Sequence, residues 1–175
     1  MNKADADNWI SAHLQQLPQE GLALDLACGK GRHTRLLLDH GLAVLAADIT
    51  PDVDVAAAAR NGQALETLQY DFEAEPWPFP AEFFDVILVC NYLHRPLFEH
   101  MRDSLKPGGK LIYTTFMQGN EQYGRPRNPD FLLKSGELQD IFNDGFIIEA
   151  AEESDNGRSV RQSLLATKAP DRSPD

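Results

Sequence analysis

The chain has little positive charge, few cysteines and no long hydrophobic run. Among 175 residues, 16 lysines and arginines stand against 27 aspartates and glutamates, which gives a formal net charge of −11. This balance disfavours a nucleic acid bound over a broad face, because such binding depends on basic side chains. No apolar stretch approaches the roughly 20 residues of a membrane-spanning helix, and residues 1–8 lack a signal-peptide pattern. We therefore expect a cytoplasmic protein outside the membrane.

The two cysteines, Cys28 and Cys90, offer no metal site. Neither has a C-x-x-C partner or the spacing of zinc ligands. Each falls at the end of a predicted central strand. We interpret them as small, buried, reduced thiols beside a ligand crevice, since disulfides are rare in a reducing compartment.

The most informative motif that is present is a buried strand followed by a glycine turn. Residues 22–26 are apolar apart from Asp25, as expected for a parallel strand covered on both faces. Gly29 and Gly31 let the backbone turn sharply and let a ligand approach without meeting a Cβ. The helix predicted over 32–40 then presents free N–H groups at its start.

An acidic residue, Asp48, ends the next apolar run. A carboxylate there can accept hydrogen bonds from both hydroxyls of a ribose, a device of nicotinamide dinucleotide sites. Two features favour S-adenosylmethionine (SAM) over a dinucleotide. Thr34 stands where the dinucleotide fingerprint has a third glycine, and Asp25 adds an acid inside the strand, four residues before Gly29. A nicotinamide-dependent oxidoreductase remains the less favoured alternative.

Strands and helices alternate along the chain. The predicted helices span 4–17, 32–40, 52–60, 96–105 and 135–143, and the predicted strands span 22–27, 42–48, 65–71, 84–90, 110–116, 146–152 and 159–167. The alternation predicts an α/β fold with a doubly wound, mostly parallel sheet of seven strands, ending in an antiparallel hairpin. We expect one domain over residues 1–168 and a disordered tail over 169–175.

Successive segments of the chain resemble the signatures of class I SAM-dependent methyltransferases. They are residues 24–31, Asp48, and residues 70–72, 84–87 and 105–109, and the match covers about residues 20–150. Residues 31–32, 131–133 and 136–138 resemble small bacterial methyltransferases of the tellurite-resistance type. The resemblance implies a Rossmann-like sheet with an antiparallel terminal strand, and SAM as the cofactor.

The same resemblance implies cofactor contacts at the strand ends, where open α/β sheets bind ligands. Asp25 would organise the glycine turn and receive the ammonium of SAM, directly or through water, or would only support the turn. Asp48 would bind the ribose and Asp71 the adenine amino group, while Arg32 would pair with the carboxylate or stay solvated. The expected cofactor set is Asp25, Ala27, Cys28, Gly29, Gly31, Arg32, Asp48, Ile49, Asp71, Phe72, Cys90 and Asn91.

The methyl group on a sulfonium is already electrophilic, so the protein mainly has to align a nucleophile and exclude water. Residues 91–96 lack the Asn/Asp-Pro-Pro-Tyr tetrad of enzymes that methylate adenine or glutamine nitrogen, which disfavours that chemistry. Tyr92 and His94 are the catalytic candidates in this segment. His94 would act as a general base, or would instead cap the following helix.

The long loop over 117–130 is expected to border the acceptor. Arg125 and Arg127, stiffened by prolines, would clamp a carboxylate or phosphate together with Tyr123, or would pair with Glu121 and Asp130. We therefore expect methyl transfer to a small, anionic acceptor. The alternative is a non-catalytic module that binds SAM or a nucleoside. Few residues precede the first strand, so the site would be open, or this loop or a second subunit of a homodimer would complete it.

Overall fold

The structure of the protein is a computed structural model that describes residues 6–54, 62 and 64–170. The strands are β1 (Leu22–Leu26), β2 (Ala43–Asp48), β3 (Leu65–Gln69), β4 (Phe84–Cys90), β5 (Leu105–Phe116), β6 (Phe146–Asp155) and β7 (Val160–Lys168). The helices are α1 (Asn8–His13), α2 (Arg32–His40), α3 (Leu97–Ser104) and α4 (Glu137–Phe142). None of the helices in these ranges is long and apolar enough to cross a membrane.

The seven strands form one sheet in the order β3-β2-β1-β4-β5-β7-β6. The first five strands of this order pair in parallel, and β7 is antiparallel to both of its neighbours, β5 and β6. The prediction of a doubly wound, mostly parallel sheet with an antiparallel terminal strand is confirmed. The strand order reverses between β1 and β4, so the crevice for a ligand opens at their carboxyl ends.

Hydrophobic side chains cover both faces of the sheet. On one face, Ile10 of α1 and Leu37 of α2 pack against β1, β2 and β4. On the other face, Met101 of α3 and Phe142 of α4 pack against β4 and β5. The central strand β4 is buried from Phe84 to Cys90 except at Asp85. This double coverage explains the unbroken apolar character of the central strands.

The N-terminal helix is shorter than the predicted span of 4–17. Within the described residues α1 covers only Asn8–His13, and a 3₁₀ turn follows over Leu14–Gln16. The side chain of Asp7 fixes the start, because it accepts hydrogen bonds from the backbone N–H groups of Trp9 and Ile10 at 2.9 and 3.2 Å. A local capping signal therefore overrides the longer hydrophobic pattern.

Strand β5 begins at Leu105, five residues before the predicted start at 110. Leu105 pairs with Phe84, and pairing resumes at Lys110 after an irregularity that accommodates the intervening glycines. The predicted helix over 52–60 falls mostly outside the described residues, as does most of the predicted tail over 169–175. Ala169 is described, and its N–H donates to the carbonyl of Gly145 at 2.9 Å.

Replacing Gly41 by alanine should destabilise the fold by roughly 2–3 kcal/mol in a chemical denaturation experiment. Gly41 has φ of +117°, and a Cβ there would lie 2.4 Å from the carbonyl oxygen of Gln19. Gly157→Ala is the matched control, because its φ is +74° and no described atom lies within 4 Å of its Cβ position. The control should lose about 1 kcal/mol. Equal losses in the two variants would contradict the steric argument.

Candidate cofactor and acceptor site

The two glycines of the turn after β1 have different surroundings. Both have positive φ, +53° at Gly29 and +75° at Gly31. No atom of the described residues lies within 4 Å of a Cβ built on Gly29, so this position is open to a ligand. A Cβ on Gly31 would lie 2.9 Å from the side chain of Val53. The expectation of open space is therefore right at Gly29 and wrong at Gly31, where Val53 already occupies the space.

Asp48 joins the end of β2 to this turn. Its Oδ2 accepts a hydrogen bond from the N–H of Gly29 and its Oδ1 accepts one from the N–H of Thr50, both at 2.9 Å. A carboxylate has about four lone-pair positions, so these two bonds leave capacity for further donors. The hydroxyls of a ribose are donors of the required kind.

A cavity of about 400 Å³ opens beside Asp48. Ile49 lies on its wall with 57% of its surface exposed, and Phe72 closes it from the core side, 7% exposed. The Phe72 ring packs 5.6 Å from the ring of Trp77, which holds it in place. The full lining is Ala27, Asp48, Ile49, Tyr70, Asp71, Phe72, Glu73, Ala74 and Tyr92. This apolar slot with acids at its rim suits a nucleoside.

Asp71 is held in the same cavity by its own turn. Its Oδ1 accepts hydrogen bonds from the N–H groups of Glu73 and Ala74 at 3.0 and 3.1 Å. Its Oδ2 makes no hydrogen bond to any described residue. One carboxylate oxygen is thus fixed by the backbone, and the other can accept from an exocyclic amino group.

Asp25 lies below the turn and not in the cavity. It is 2% exposed, and its Oδ2 accepts a hydrogen bond of 2.6 Å from Oγ1 of Thr34 on α2. Burial raises the pKa of Asp25 to about 7, against an ordinary value of 3.8. The visible role of Asp25 is to tie β1 to α2, and its role toward a ligand ammonium stays a prediction.

Asn91 directly follows β4 and has a left-handed conformation, with φ of +59°. Ala27 ends the neighbouring strand β1 with φ of +57°. Non-glycine residues pay a conformational cost there, and such positions cluster at ligand sites. The N–H of Asn91 donates to the carbonyl of Thr114 at 3.0 Å, and its Oδ1 accepts from Arg161 at 2.6 Å.

The sequence analysis missed Arg161, the second residue of β7. Because β7 is antiparallel, its start lies at the carboxyl ends of the parallel strands, with Arg161 paired to Phe116. Its guanidinium carbon lies 4.6 Å from the centre of the Phe116 ring. The available signal was the predicted hairpin itself, which brings the first residues of the last strand to this edge.

The two cysteines are buried and unpaired, as expected. Burial raises the pKa of the Cys28 thiol to about 12 and that of the Cys90 thiol to about 11. Both thiols are therefore protonated at neutral pH and are poor nucleophiles. Arg32 approaches Cys90, with its Nη2 atom 3.7 Å from the sulfur.

The two catalytic candidates occupy different places. Tyr92 lies on the wall shared by the 400 Å³ cavity and a neighbouring cavity of about 220 Å³. Its hydroxyl donates to Oε1 of Glu73 at 3.2 Å, and burial raises its pKa, so it acts as a donor at neutral pH. His94 lines neither cavity, and its carbonyl accepts from the N–H of Leu97 at the start of α3.

The loop arginines border the smaller cavity from outside. Arg125 and Arg127 line an open groove of about 570 Å³ with Phe131. Neither arginine forms an ion pair within the described part of the chain, so the expected alternative of pairing with Glu121 or Asp130 is not realised. Tyr123 points elsewhere, because its hydroxyl donates to Asp155 of β6 at 3.1 Å.

A second arginine missed by the sequence analysis, Arg95, fixes the end of this loop. Its Nε and Nη2 atoms donate to the two carboxylate oxygens of Glu137 at 2.6 and 3.0 Å. It also donates to the carbonyls of Asp130 and Leu132 at 2.9 and 3.0 Å. This bidentate pair connects the segment after β4 to α4 and holds the loop against the small cavity.

Comparison with known proteins agrees with this geometry. A family model described as a methyltransferase domain matches residues 23–109. Malonyl-[acyl-carrier protein] O-methyltransferase of Paenibacillus sp. (strain JDR-2) is 31% identical over 104 residues, 53% of this chain and 38% of that protein. Trans-aconitate 2-methyltransferase of Sinorhizobium medicae (strain WSM419) is 35% identical over 107 residues, 58% of this chain and 40% of that protein. The chain spans less than half the length of the curated relatives it matches.

Solved structures share the fold across nearly the whole chain. TehB from Haemophilus influenzae has a TM-score of 0.70 at 19% identity and covers 95% of this chain and 63% of its own. The 1,6-didemethyltoxoflavin-N1-methyltransferase of Burkholderia thailandensis, solved with S-adenosylhomocysteine, has a TM-score of 0.66 at 18% identity, covering 93% of this chain and 76% of its own. The sheet and its glycine-turn crevice define a Rossmann-like methyltransferase fold. Together these matches indicate a class I SAM-dependent methyltransferase, with SAM as the cofactor.

Replacing Asp48 by alanine should weaken binding of S-adenosylhomocysteine by roughly 1–3 kcal/mol, because ribose hydroxyls would lose their acceptor. Wild-type protein should melt at a higher temperature with about 1 mM of this ligand, since it binds the native state. Asp103→Ala is the control, an exposed acid beside Glu82 at the opposite edge of the sheet. Unchanged affinity of Asp48→Ala by calorimetry would show that other groups hold the ribose.

Replacing Asp25 by asparagine should change how stability depends on pH. The folded protein, with a pKa of about 7 at Asp25 against 3.8 ordinarily, binds more protons than the unfolded chain between these values. Ionisation of Asp25 therefore lowers the free energy of unfolding as pH rises from about 4 to about 7. Relative to wild type, Asp25→Asn should gain up to about 4 kcal/mol over that range. Parallel profiles of the two proteins in urea titrations would contradict this.

Proposed function

We propose that this chain transfers the methyl group of SAM to a small-molecule acceptor that carries an anionic group. The observation that carries the proposal is a nucleoside-sized cavity at Asp48 and Asp71 that shares Tyr92 and Glu73 with a second, smaller cavity. A cofactor in the larger cavity and an acceptor in the smaller one would contact each other at the wall that the cavities share. Methyl transfer needs this side-by-side placement of donor and acceptor.

The residues present fit the cofactor. Gly29 leaves the turn open, Asp48 keeps free acceptor positions for a ribose, and Asp71 keeps one oxygen for the adenine amino group. When bound, SAM supplies an electrophilic methyl on a positively charged sulfur. We propose that Asn91, Cys90 and Arg32 face the methionine part, because all three lie at the end of β4 or the start of α2.

The smaller cavity suits a compact acceptor. Its volume is about 220 Å³, and Leu93, Phe116, Pro126 and Phe131 give it apolar walls. Tyr92 is protonated at neutral pH and donates its hydrogen bond to Glu73, so Tyr92 is not a base for the acceptor. The acceptor atom is therefore one that is already unprotonated near pH 7, and a carboxylate oxygen satisfies this condition.

Two observations support an anionic acceptor. Arg125 and Arg127 are exposed, lie beside the cavity at Phe131 and have no carboxylate partner among the described residues. The names of two relatives contain a malonyl group and trans-aconitate, and both of these are derived from carboxylic acids. We propose that Arg125 and Arg127 bind the acceptor's anionic group.

We also propose a cytoplasmic location and one SAM-binding domain over residues 1–168, without a nucleic-acid partner. Ile49 leaves more than half of its surface exposed at the cofactor cavity, 57%. A second copy of the chain would cover it, which favours a homodimer.

The purified protein, given SAM labelled in its methyl group, should methylate a small carboxylic acid and should not methylate its neutral amide. Malonate and trans-aconitate are the first acceptors to test. Arg125→Ala and Arg127→Ala should each lower kcat/KM about tenfold and leave affinity for S-adenosylhomocysteine unchanged, the pattern of a lost acceptor contact. Arg158→Ala, an exposed arginine in the β6–β7 turn, is the control and should retain wild-type kcat/KM.

Two results would contradict the proposal. Labelling of neutral acceptors with no preference for acids would remove the anionic part of it. Binding of S-adenosylhomocysteine without methyl transfer to any acceptor in a cell extract would favour the non-catalytic alternative.

A further inference from the structure

A third cavity, of about 720 Å³, lies at the same edge of the sheet between α1 and β7. Trp9 and His13 of α1 form one wall, and Thr114 and Ser163 of the paired strands β5 and β7 form another. The two hydroxyls lie 2.8 Å apart. Of its lining residues, the proposed function uses only Arg32, at the end next to the cofactor turn.

Arg161 forms the boundary between this cavity and the small apolar one. Its side chain is only 14% exposed and stacks on Phe116, which lines the apolar cavity. Its Nη2 atom donates to Asn91, and its Nε atom contacts Oγ1 of Thr114 at 3.4 Å. Its Nη1 atom makes no hydrogen bond within the described residues. The Arg161 guanidinium therefore lies between the two cavities with one of its nitrogens free to donate a hydrogen bond.

Two guanidinium groups meet at the inner end of the large cavity. Arg32 and Arg161 both approach the sulfur of Cys90, at 3.7 and 3.9 Å. Asp7 is the nearest carboxylate, with Oδ2 3.8 Å from Nη2 of Arg161, which is beyond hydrogen-bond distance. Glu152 also lines the cavity, but it is exposed at the rim. Among the described residues, Asp7 is thus the only carboxylate paired with Arg161, and it pairs at a long distance.

The positions of the two arginines separate their roles. Arg32 follows the glycine turn directly, on the β1 side of β4, where the cofactor's amino-acid part belongs. Arg161 comes from β7, which lies three places from β1 in the strand order, roughly 14 Å across the sheet. Its guanidinium reaches the end of β4, close to that of Arg32. It also stacks on Phe116, which lines the apolar cavity, and this contact places Arg161 beside the proposed acceptor.

We propose that Arg161 binds the carboxylate or other anionic group of the methyl acceptor and is the residue that selects an anionic substrate. This inference rests on the proposed function and deepens it. Arg161 and the hydroxyls of Thr114 and Ser163 would hold the anion from the large cavity. The rest of the acceptor would then cross the boundary at Asn91 into the apolar cavity. The exposed arginines of the loop would meet the acceptor first, and Arg161 would hold it.

The test measures two ligands by calorimetry on Arg161→Met and Arg161→Lys. The acceptor probe is trans-aconitate, titrated with S-adenosylhomocysteine present. The cofactor probes are S-adenosylhomocysteine and 5′-methylthioadenosine, which lacks the amino-acid carboxylate. Arg161→Met should weaken trans-aconitate at least tenfold and change S-adenosylhomocysteine less than twofold. Arg161→Lys should show an intermediate loss, because lysine keeps the charge and loses the two-pronged geometry.

The controls separate the outcomes. Arg158→Met in the adjoining turn should leave both affinities unchanged, and circular dichroism should confirm folding. If Arg161→Met does not fold, Arg161→Lys alone decides. Loss of S-adenosylhomocysteine affinity with unchanged 5′-methylthioadenosine affinity would assign Arg161 to the cofactor's carboxylate and overturn the proposal. Two further results would overturn it: undiminished affinity of Arg161→Met for trans-aconitate, or no binding of trans-aconitate to the wild-type protein at about 10 mM. If wild-type protein does not bind trans-aconitate but methylates a neutral acceptor, the proposed methyl transfer is retained and only the role of Arg161 is overturned.

Discussion

The carboxylate of Asp48 holds together the two strand ends on which the cofactor site depends. It accepts the N–H of Gly29 after β1 and the N–H of Thr50 after its own strand β2. The parallel register of these strands, which pairs Leu26 with Ala47, brings the two ends to one level. A single side chain therefore fixes the glycine turn and the entrance of α2, and we propose that it also accepts hydrogen bonds from a ribose. The same oxygens stabilise the turn and remain available to a ligand.

Burial decides which ionisable groups near the crevice carry charge. Burial raises the pKa of Asp25 and of both cysteine thiols, and it lowers the pKa of His33 to about 4. The neutral Nε2 atom of His33 can then accept the N–H of Asp7 at 3.0 Å, which fastens the start of α1 over the sheet. The guanidiniums of Arg32 and Arg161 both lie at this edge, with Nη2 atoms 3.7 and 3.9 Å from the sulfur of Cys90.

The first half of the chain was predictable because its signals are local. The glycine turn, Asp48 and Asp71 each lie at or just after the end of a strand in sequence, and hydrophobic periodicity finds those strands. Arg161 and Arg95 were missed for the opposite reason. Arg161 reaches the site only through the antiparallel pairing of β5 with β7, and Arg95 acts through Glu137, 42 residues away. The early start of β5 also depends on a distant partner, Phe84.

The cofactor side of the crevice is built from local signals in the sequence, and the acceptor side is built from distant ones. Parallel strands with short turns present their ends one after another, so the cofactor contacts follow the order of the chain. The acceptor side combines the segment after β4, the loop after β5 and the start of an antiparallel strand. Its residues converge only when the sheet is complete, and each can vary without disturbing the glycine turn. A sequence motif can therefore identify the methyl donor, whereas the acceptor is encoded in side chains such as Arg161 that only tertiary packing brings to the crevice.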